Sequence, residues 1–288
     1  MQPATPSRTA LGAAVHRAAH QVLESGKVFA DPLALRILGT DAETLLRDEA
    51  KHRARRGLRF FIAARSRLAE DAFAAATARG VRQLVILGAG LDTFAYRVEH
   101  SDGLRVFEVD HPATQAWKRQ RLAEAAIAVP ASLGFVPVDF ERESLGERLV
   151  ASGFDPARPS FFIWLGVVPY LSEAAVFATL GFIAGLPGGA HVVLDYANPR
   201  AAHGGDPELG AAHDALAGRV AATGEPFRSY FEADALHHRL RALGFREIED
   251  LGPSPLVERY LGFRLDRARD AGGHVLRATT LAPDAGAD

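Results

Sequence analysis

Short apolar runs, each bounded by turn-forming residues, recur along the chain from about residue 83 onward and predict β-strands. Seven such strands are predicted, at 83–87, 104–109, 134–138, 160–164, 190–195, 245–250 and 274–280. Most are separated by stretches with helical periodicity, at 112–128, 141–151, 172–184, 208–222 and 232–243. Strands that alternate with single helices indicate right-handed crossovers and a doubly wound parallel sheet.

The chain departs from this alternation at both ends. Only the segment from Leu251 to Gly273 separates the last two strands, and its glycine, proline and charge favour a reversed final strand. Residues 8–80 contain no convincing strand. Helices are predicted there from Thr9 to Leu23, from Asp31-Pro32 to Leu38, and over 58–79. We therefore expect one α/β domain, with a helical cap over 1–80 and a mostly parallel seven-stranded sheet within 81–288.

Composition narrows the class of protein. The 288 residues are 48% hydrophobic, enough for one large core, and the net charge of -2 offers no basic surface for nucleic acid. The absence of cysteine excludes disulfides, thiolate metal sites and a cysteine nucleophile. No apolar run approaches the roughly 20 residues of a membrane span, and the first residues lack a signal-peptide pattern. We expect a soluble, cytoplasmic protein without membrane or nucleic-acid partners; the sequence does not indicate its oligomeric state.

The most informative motif is Gly88-Ala89-Gly90-Leu91-Asp92, directly after the apolar run 84–87. A strand that turns through Gly-x-Gly into a helix holds a nucleoside-containing cofactor at the helix N-terminus. Here Thr93 replaces the third glycine of a dinucleotide fingerprint, and the Asp92 carboxylate would repel a pyrophosphate. The same carboxylate suits S-adenosylmethionine, which carries a sulfonium cation and no phosphate. The loop therefore favours this methyl donor over NAD, unless Asp92 only caps the next helix.

A basic residue lies on the apolar stripe of the helix predicted at 58–79. Arg65 shares that stripe with Ile62, whereas Arg67 points elsewhere, toward Asp71. An unpaired guanidinium is very costly to bury, so Arg65 needs an anionic partner. That partner is either the methionine carboxylate of the cofactor or a structural carboxylate at the end of the sheet.

The second strand ends in two acidic residues, Glu108 and Asp110, about 20 positions after the glycines. A carboxylate at this place reads a ribose diol through two hydrogen bonds. Because Pro112 begins the next helix, Asp110 lies at the strand tip and is preferred, with a helix N-cap as its alternative role. His111 is expected to line the site.

Two later strands also end in candidate residues. Asp139 and Phe140 follow the third strand, where the carboxylate can accept from an adenine amino group and the ring can pack near the base. The alternative is that Asp139 only starts the following helix. Tyr170, in the loop after the fourth strand, and Tyr196, at the tip of the fifth, are the candidate catalytic side chains; the alternative for Tyr170 is packing in the core.

Three stretches carry a family resemblance: Gly88–Arg97, Glu108–Pro112 and Trp164–Leu171. They resemble the leucine carboxyl methyltransferase family, and in particular its bacterial branch, which includes polyketide O-methyltransferases. Segments near both ends, Ser7–Ala10 and Arg259–Leu276, are similar as well. The resemblance implies a Rossmann-like class I methyltransferase fold with a helical cap and S-adenosyl-L-methionine as cofactor.

The resemblance also assigns roles to residues. It places Arg65 at the methionine carboxylate, the Gly88–Gly90 turn at the cofactor's amino-acid end, Asp110 at the ribose, and Asp139 with Phe140 at adenine. The eukaryotic branch has a glutamate where Leu165 stands here, so the cofactor's amino group must use water, a backbone carbonyl or Asp92. The predicted cofactor contacts are Arg65, Gly88, Ala89, Gly90, Asp92, Asp110, His111, Asp139, Phe140 and Leu165.

The expected chemistry is methylation of a carboxylate or hydroxyl oxygen on a small metabolite or peptide terminus. An ionised carboxylate needs only positioning, whereas a hydroxyl needs a base within about 3 Å, for which Tyr170, Tyr196, His111 and His203 are candidates. Two other functions stay open: an NAD-dependent oxidoreductase, and a non-catalytic protein that binds the methyl donor. No metal site is expected, although His16 and His20 have a spacing that could bind one.

Overall fold

A single seven-stranded sheet runs through this computed structural model, which describes residues 7–52, 55–100, 103–264 and 271–281. The strands are β1 Gln83–Leu87, β2 Arg105–Asp110, β3 Leu133–Pro137, β4 Ser160–Trp164, β5 Ala190–Ala197, β6 Arg246–Leu251 and β7 Gly273–Thr279. Their order is β3-β2-β1-β4-β5-β7-β6, with β7 antiparallel to both neighbours and the first five strands parallel. The predicted sheet with a reversed last strand is confirmed, and each boundary agrees within two residues.

Ten α-helices accompany the sheet in the described ranges. They are α1 Arg8–Leu23, α2 Ala34–Leu38, α3 Ala42–Lys51, α4 Arg56–Ala78, α5 Pro112–Glu124, α6 Leu145–Ala151, α7 Glu173–Ala184, α8 Pro207–Ala221, α9 Ala233–Leu243 and α10 Pro253–Leu261. Helices α3 and α10 were not among the predicted elements. Helix α3 is rich in charged residues and has only a narrow apolar face. Helix α10 has proline at its first position and ends at Gly262, which has a left-handed conformation. None of the helices described is long and apolar enough to cross a membrane.

The strands β1, β2, β4 and β5 are buried on both faces, which explains their nearly continuous apolar sequences, whereas β6 at the edge is charged and partly exposed. One face packs against α4, for example through Leu68 and Phe73, and the other against α7 through Val176 and Leu180. Neighbouring positions of a strand point to opposite faces, so Leu84 and Val85 lie in different clusters. This layering leaves the carboxyl ends of the parallel strands at one edge, beneath the helices that precede β1.

A buried ionic network joins α1, α3 and α4. The Glu49 carboxylate lies 2.8 Å from Arg59 Nη1 and 3.1 Å from His16 Nδ1, while Arg59 Nη2 lies 2.9 Å from Glu24. Arg59, the last residue of the basic stretch 51–59, is therefore buried and paired; residues 53 and 54 lie outside the described residues. His20 Nδ1 is 3.4 Å from Glu24. In the described ranges, no group of three or more histidine, aspartate or glutamate side chains is arranged to hold a metal.

The network predicts a loss of stability in mild acid. Val28 N donates to His20 Nε2 at 3.3 Å, which requires a lone pair there, and burial lowers the pKa of His20 below its ordinary value of 6.5. Stabilisation by the neutral ring is therefore complete above that value and is lost as the pH falls below it. The free energy of unfolding, measured with urea, should fall between about pH 7 and pH 5 in the native chain. This dependence on pH should be weaker in His20→Gln. An unchanged slope in the variant would assign the acid sensitivity to other groups.

Candidate functional site

A cavity of about 410 Å³ lies at the carboxyl ends of β1, β2, β3 and β4, where doubly wound sheets bind ligands. Parts of α1 and α4 and the segment 224–228 complete its wall. The structure brings to this wall every predicted cofactor contact and one of the two predicted catalytic tyrosines, namely Arg65, Gly88, Ala89, Gly90, Asp92, Asp110, His111, Asp139, Phe140, Leu165 and Tyr170.

The glycine turn after β1 has no room for side chains. Gly88 and Gly90 have φ of +63° and +43°, and a Cβ on Gly88 would lie 2.2 Å from Val167 Cγ2. The turn leads into a single 3-10 turn, Phe94–Tyr96, so the expected α-helix after the glycines is wrong. Asp92 Oδ1 accepts from Phe94 N at 2.7 Å and thereby closes this short turn. Backbone groups and side chains at the strand ends, and not an α-helix N-terminus after β1, form this part of the site.

Adding one methyl group at Gly88 should disrupt the turn. We expect Gly88→Ala to lower the free energy of unfolding by about 2–4 kcal/mol, from a left-handed φ plus overpacking against Val167. Gly80 is the matched control, because its φ is +92° but a Cβ there would meet nothing within 4 Å. Gly80→Ala should cost about 1 kcal/mol, and Val167→Ala should relieve part of the Gly88→Ala defect. Equal losses at the two glycines in chemical denaturation would show that the contact with Val167 is unimportant.

Asp110 is held in place by the loop that it faces. Its Oδ2 accepts from Gly90 N at 2.5 Å and its Oδ1 accepts from His111 N at 2.7 Å. Burial raises the pKa of the Asp110 carboxyl, although both backbone donors favour the ionised form. Each oxygen still has capacity to accept another donor. The helix N-cap is His111, whose Nδ1 accepts from Ala113 N at 3.3 Å, so that alternative role for Asp110 is wrong.

Glu108 points away from the cavity and serves a different purpose. Its carboxylate lies 2.6 Å from Lys118 Nζ and accepts from the Tyr96 hydroxyl at 2.9 Å. Lys118 Nζ is also 3.4 Å from the carbonyl oxygen of Ala89. This fully buried pair supports the glycine turn from below. Lys118 was not predicted as a site residue. The sequence feature that could have indicated it is a lysine in the predicted helix 112–128, directly after a strand that carries a second carboxylate, Glu108, before its tip.

Arg17 of α1 is a second cation that sequence reasoning missed. Its Nη2 donates to Leu91 O at 2.5 Å, and its other nitrogens lie 3.2 Å from Asp92 and 3.3 Å from Asp31. Burial acts to raise the pKa of Asp92, but the surrounding cations, Arg17 first, outweigh burial and lower it. The Asp92 carboxylate is thus ionised, partly buried and paired with Arg17.

Arg65 has one carboxylate partner in the structure. Its Nη1 lies 2.6 Å from Asp195 Oδ2 at the end of β5, and Asp195 Oδ1 accepts from Gly166 N at 2.5 Å. Its Nε is buried and has no hydrogen-bond partner in the described part of the chain. The ion pair at the sheet end is therefore present, and the same side chain keeps an unused donor.

The loop after β3 is shaped by its own acidic side chains. Asp139 Oδ1 accepts from Glu141 N at 3.0 Å, and Asp139 N donates to Glu143 at 2.9 Å. The Phe140 ring lies 6.4 Å from that of Trp164. Local hydrogen bonds thus fix Asp139 and Phe140 on the cavity wall; contact with adenine remains a prediction.

Only one of the two candidate tyrosines reaches the cavity wall. Tyr170 lines the cavity, and burial raises its pKa to about 12, so the hydroxyl keeps its proton at neutral pH. Tyr196 is only 1% exposed and donates to Asp250 Oδ2 at 2.6 Å. Its expected position beside the acceptor is wrong, because it follows Asp195 and therefore points to the other face.

Two histidines, His203 and His237, lie apart from the cavity wall. His203 Nε2 lies 3.2 Å from His213 Nδ1, apart from the cavity wall, so it is not placed to act as a base there. His237 is partly buried, and its Nε2 lies 2.7 Å from Asp250. His203 thus contacts α8, and His237 contacts the end of β6.

The charges on the cavity wall sum to a negative excess. Four carboxylates and three guanidinium groups line it: Asp92, Asp110, Asp139, Glu225, Arg17, Arg65 and Arg228. Each guanidinium already has a carboxylate partner, since Arg17 pairs with Asp92, Arg65 with Asp195, and Arg228 with Glu141. A ligand with net positive charge therefore fits this wall better than a polyanion.

The chain is similar in sequence to proteins of one family. The sequence profile "Leucine carboxyl methyltransferase" matches residues 10–184. A Bacillus subtilis protein, YktD, provisionally named an S-adenosyl-L-methionine-dependent methyltransferase, is 36% identical over 65% of this chain and 61% of its own length. A Streptomyces coelicolor protein with the same kind of name is 38% identical over 61% of this chain and 63% of its own length. The chain thus aligns with less than two thirds of each relative.

A solved structure from Thermobifida fusca, provisionally described as a methyltransferase, covers 96% of both chains with a TM-score of 0.58 and 17% identity. At that identity the likeness concerns the fold, and it confirms the expected class I methyltransferase architecture. The profile match covers more than half of the sequence, including α1, α4, the glycine turn and the ends of β2 to β4. The chain belongs to the leucine carboxyl methyltransferase family.

Proposed function

We propose that the protein is an S-adenosyl-L-methionine-dependent methyltransferase that methylates an oxygen atom, a carboxylate or a hydroxyl, of a small metabolite or peptide terminus. Family membership and the names of its relatives support the cofactor. The observation that carries the proposal is the cavity at the strand ends, where all ten residues expected to touch the cofactor meet. The alternative of a dinucleotide is disfavoured by the excess of carboxylates on that wall.

The residues on the wall fit the cofactor group by group. Asp110 has free acceptor capacity for the two ribose hydroxyls, and the side-chain-free turn at Gly88 and Gly90 admits the amino-acid end. The unused Nε of Arg65 is a donor for the methionine carboxylate. When bound, the cofactor supplies an electrophilic methyl group on a positively charged sulfur. Asp92, paired with Arg17 at one oxygen, adds negative charge beside the cofactor and keeps acceptor capacity for its amino group.

The chain's own part in the reaction is to position the acceptor and exclude water. Leu165, Tyr170 and Ile62 give the acceptor side of the wall apolar surface with one hydroxyl. Because the raised pKa keeps Tyr170 protonated, its hydroxyl orients an acceptor oxygen by a hydrogen bond and does not serve as the resting base. His111 uses its Nδ1 lone pair on Ala113 N, so it is not free to accept a proton at that atom. An acceptor that is already ionised would require no base.

We also propose that residues 1–80 act as a cap on the site. Ser7, Thr9 and Arg17 of the α1 region and Ile62 and Arg65 of α4 all line the cavity. These residues close the side of the cavity that the sheet leaves open. Acceptor choice would then depend on the cap and on the segment between β5 and β6.

The proposal is tested with the purified protein and cofactor carrying a labelled methyl group. Panels of carboxylic acids and phenols of matched shape are incubated, and the labelled product is treated with mild base. Methyl esters release the label and aryl ethers retain it, so the two acceptor classes are told apart. Transfer to either class supports the proposal. Failure to bind the cofactor, or transfer only to nitrogen or carbon acceptors, contradicts it.

A further inference from the structure

The segment 224–229, which we call the strap, joins α8 to α9 and crosses the rim of the cavity. Gly224 and Pro226 are exposed to solvent and line the cavity as well, so the strap lies between ligand and solvent. Its far end is tied to the loop after β4. Arg228 N and Ser229 N donate to Pro169 O at 2.6 and 3.2 Å.

Its near end is tied to the first turn of α1 by one carboxylate. Glu225 accepts from Arg8 N and Thr9 N at 2.9 Å each, from Thr9 Oγ1 at 2.5 Å and from Ser7 Oγ at 3.2 Å. The first backbone N–H groups of a helix have no partner within the helix, and an anion there is favoured by the helix dipole. Glu225 supplies that anion from more than 200 residues away along the chain.

The first turn of α1 in turn contacts the glycine loop and α5. A Cβ on Gly90 would lie 2.9 Å from Ala10 Cβ, so the two backbones pack closely. Ser7 N donates to Thr114 Oγ1 on α5 at 3.2 Å. The strap, the first turn of α1 and the turn that faces the cofactor thus form one connected chain of contacts.

We infer that Glu225 is a latch: a positioning residue that holds the strap and the first turn of α1 closed over the cavity, and whose release governs exchange of the bound cofactor product. This inference rests on the proposed function for the identity of the ligand. Opening the latch frees a strap that begins at Gly224, whose φ of +88° and open surroundings suit a hinge. In the closed state Ala10 packs against Gly90, which faces the cofactor's amino-acid end. The latch therefore affects this part of the cavity wall.

The test uses S-adenosylhomocysteine as the probe and Glu225→Gln as the variant. Glutamine keeps the shape but loses the charge, and hydrogen bonds to charged groups are the stronger kind. We expect the dissociation rate, measured by stopped-flow displacement, to rise about tenfold. Thr9→Val, which removes one donor to the same carboxylate, should raise the rate about fivefold, and the double variant should be less than additive. Glu232→Gln, an exposed neighbour at the start of α9, is the matched control and should leave the rate unchanged.

Amide hydrogen exchange of the ligand-free protein gives a second readout. The amides of Arg8 and Thr9 should exchange faster in Glu225→Gln than in the native chain, while those within β1 should not change. Dissociation and exchange rates that stay within about twofold of the native values would overturn the latch. If the native chain does not bind S-adenosylhomocysteine, the proposed function fails, and the exchange of these two amides alone decides whether the latch exists.

Discussion

Asp110→Asn should weaken binding of S-adenosylhomocysteine about a hundredfold while leaving the protein folded. In the native chain each carboxylate oxygen already accepts one backbone N–H, from Gly90 or His111, and has capacity for one ribose hydroxyl. The amide of asparagine offers one acceptor and one donor group. The variant therefore loses one contact to the ribose. Its amide NH₂ group also faces a backbone N–H, and two donors cannot form a hydrogen bond. Isothermal titration calorimetry measures the loss directly.

The control for this variant is Asp71→Asn. Asp71 is an exposed carboxylate on α4 that pairs with Arg67 at 2.8 Å, remote from the cavity wall. It should leave the dissociation constant within about twofold, because surface ion pairs contribute little. If Asp110→Asn binds S-adenosylhomocysteine as tightly as the native chain, the carboxylate at the tip of β2 does not read the ribose.

Lys118→Met should lower the free energy of unfolding by about 3–5 kcal/mol, a large share of the stability of a typical domain. The substitution leaves Glu108 in the interior, without its cation, in a site where burial already raises its pKa. It also removes the contact between Nζ and the carbonyl oxygen of Ala89. Urea unfolding followed by circular dichroism gives the size of the loss.

The double variant Lys118→Met with Glu108→Gln separates charge from packing. Glutamine can still accept from the Tyr96 hydroxyl, so we expect the double variant to recover about half of the lost stability. In the single variant the fold favours protonated Glu108. Its stabilisation is present at low pH and is lost as the pH rises through the raised pKa, so Lys118→Met should be less unstable near pH 5 than near about pH 7. A double variant as unstable as the single one would show that the Lys118 stem, and not the ion pair, matters.

The central strands of the sheet, β1, β2, β4 and β5, could be predicted from the sequence because they are buried on both faces. Such strands must be apolar throughout, and each one here is followed by a clear turn or helix start, as in the run Leu84–Leu87 before Gly88. The preference for Asp110 over Glu108 succeeded in placing the residue on the cavity wall for a similar reason. Only the last residue of a parallel strand reaches the edge where ligands bind, and Pro112 fixed where that strand ends.

The misplaced and missed residues depend on contacts that local patterns do not encode. Tyr196 and Asp195 are adjacent on β5 and therefore point to opposite faces of the sheet. The sequence pattern does not show which of them faces α4; in the structure Asp195 does, because it pairs with Arg65. The Glu108–Lys118 pair joins a strand to a helix. Glu225 reaches its partners across more than 200 residues. From the sequence alone, a lysine in a helical stretch, such as Lys118, or a glutamate between glycine and proline, such as Glu225, is expected to be solvated. Only the folded structure shows the group with which it pairs.

We propose that the cavity at the strand ends binds a sulfonium cofactor and not a diphosphate. Calorimetric titration of the native chain with S-adenosyl-L-methionine and, separately, with NAD tests it most directly. We expect saturable, one-to-one heat with the first, abolished by Gly88→Ala, and none with the second. Saturation by NAD together with no heat from S-adenosyl-L-methionine would contradict the account.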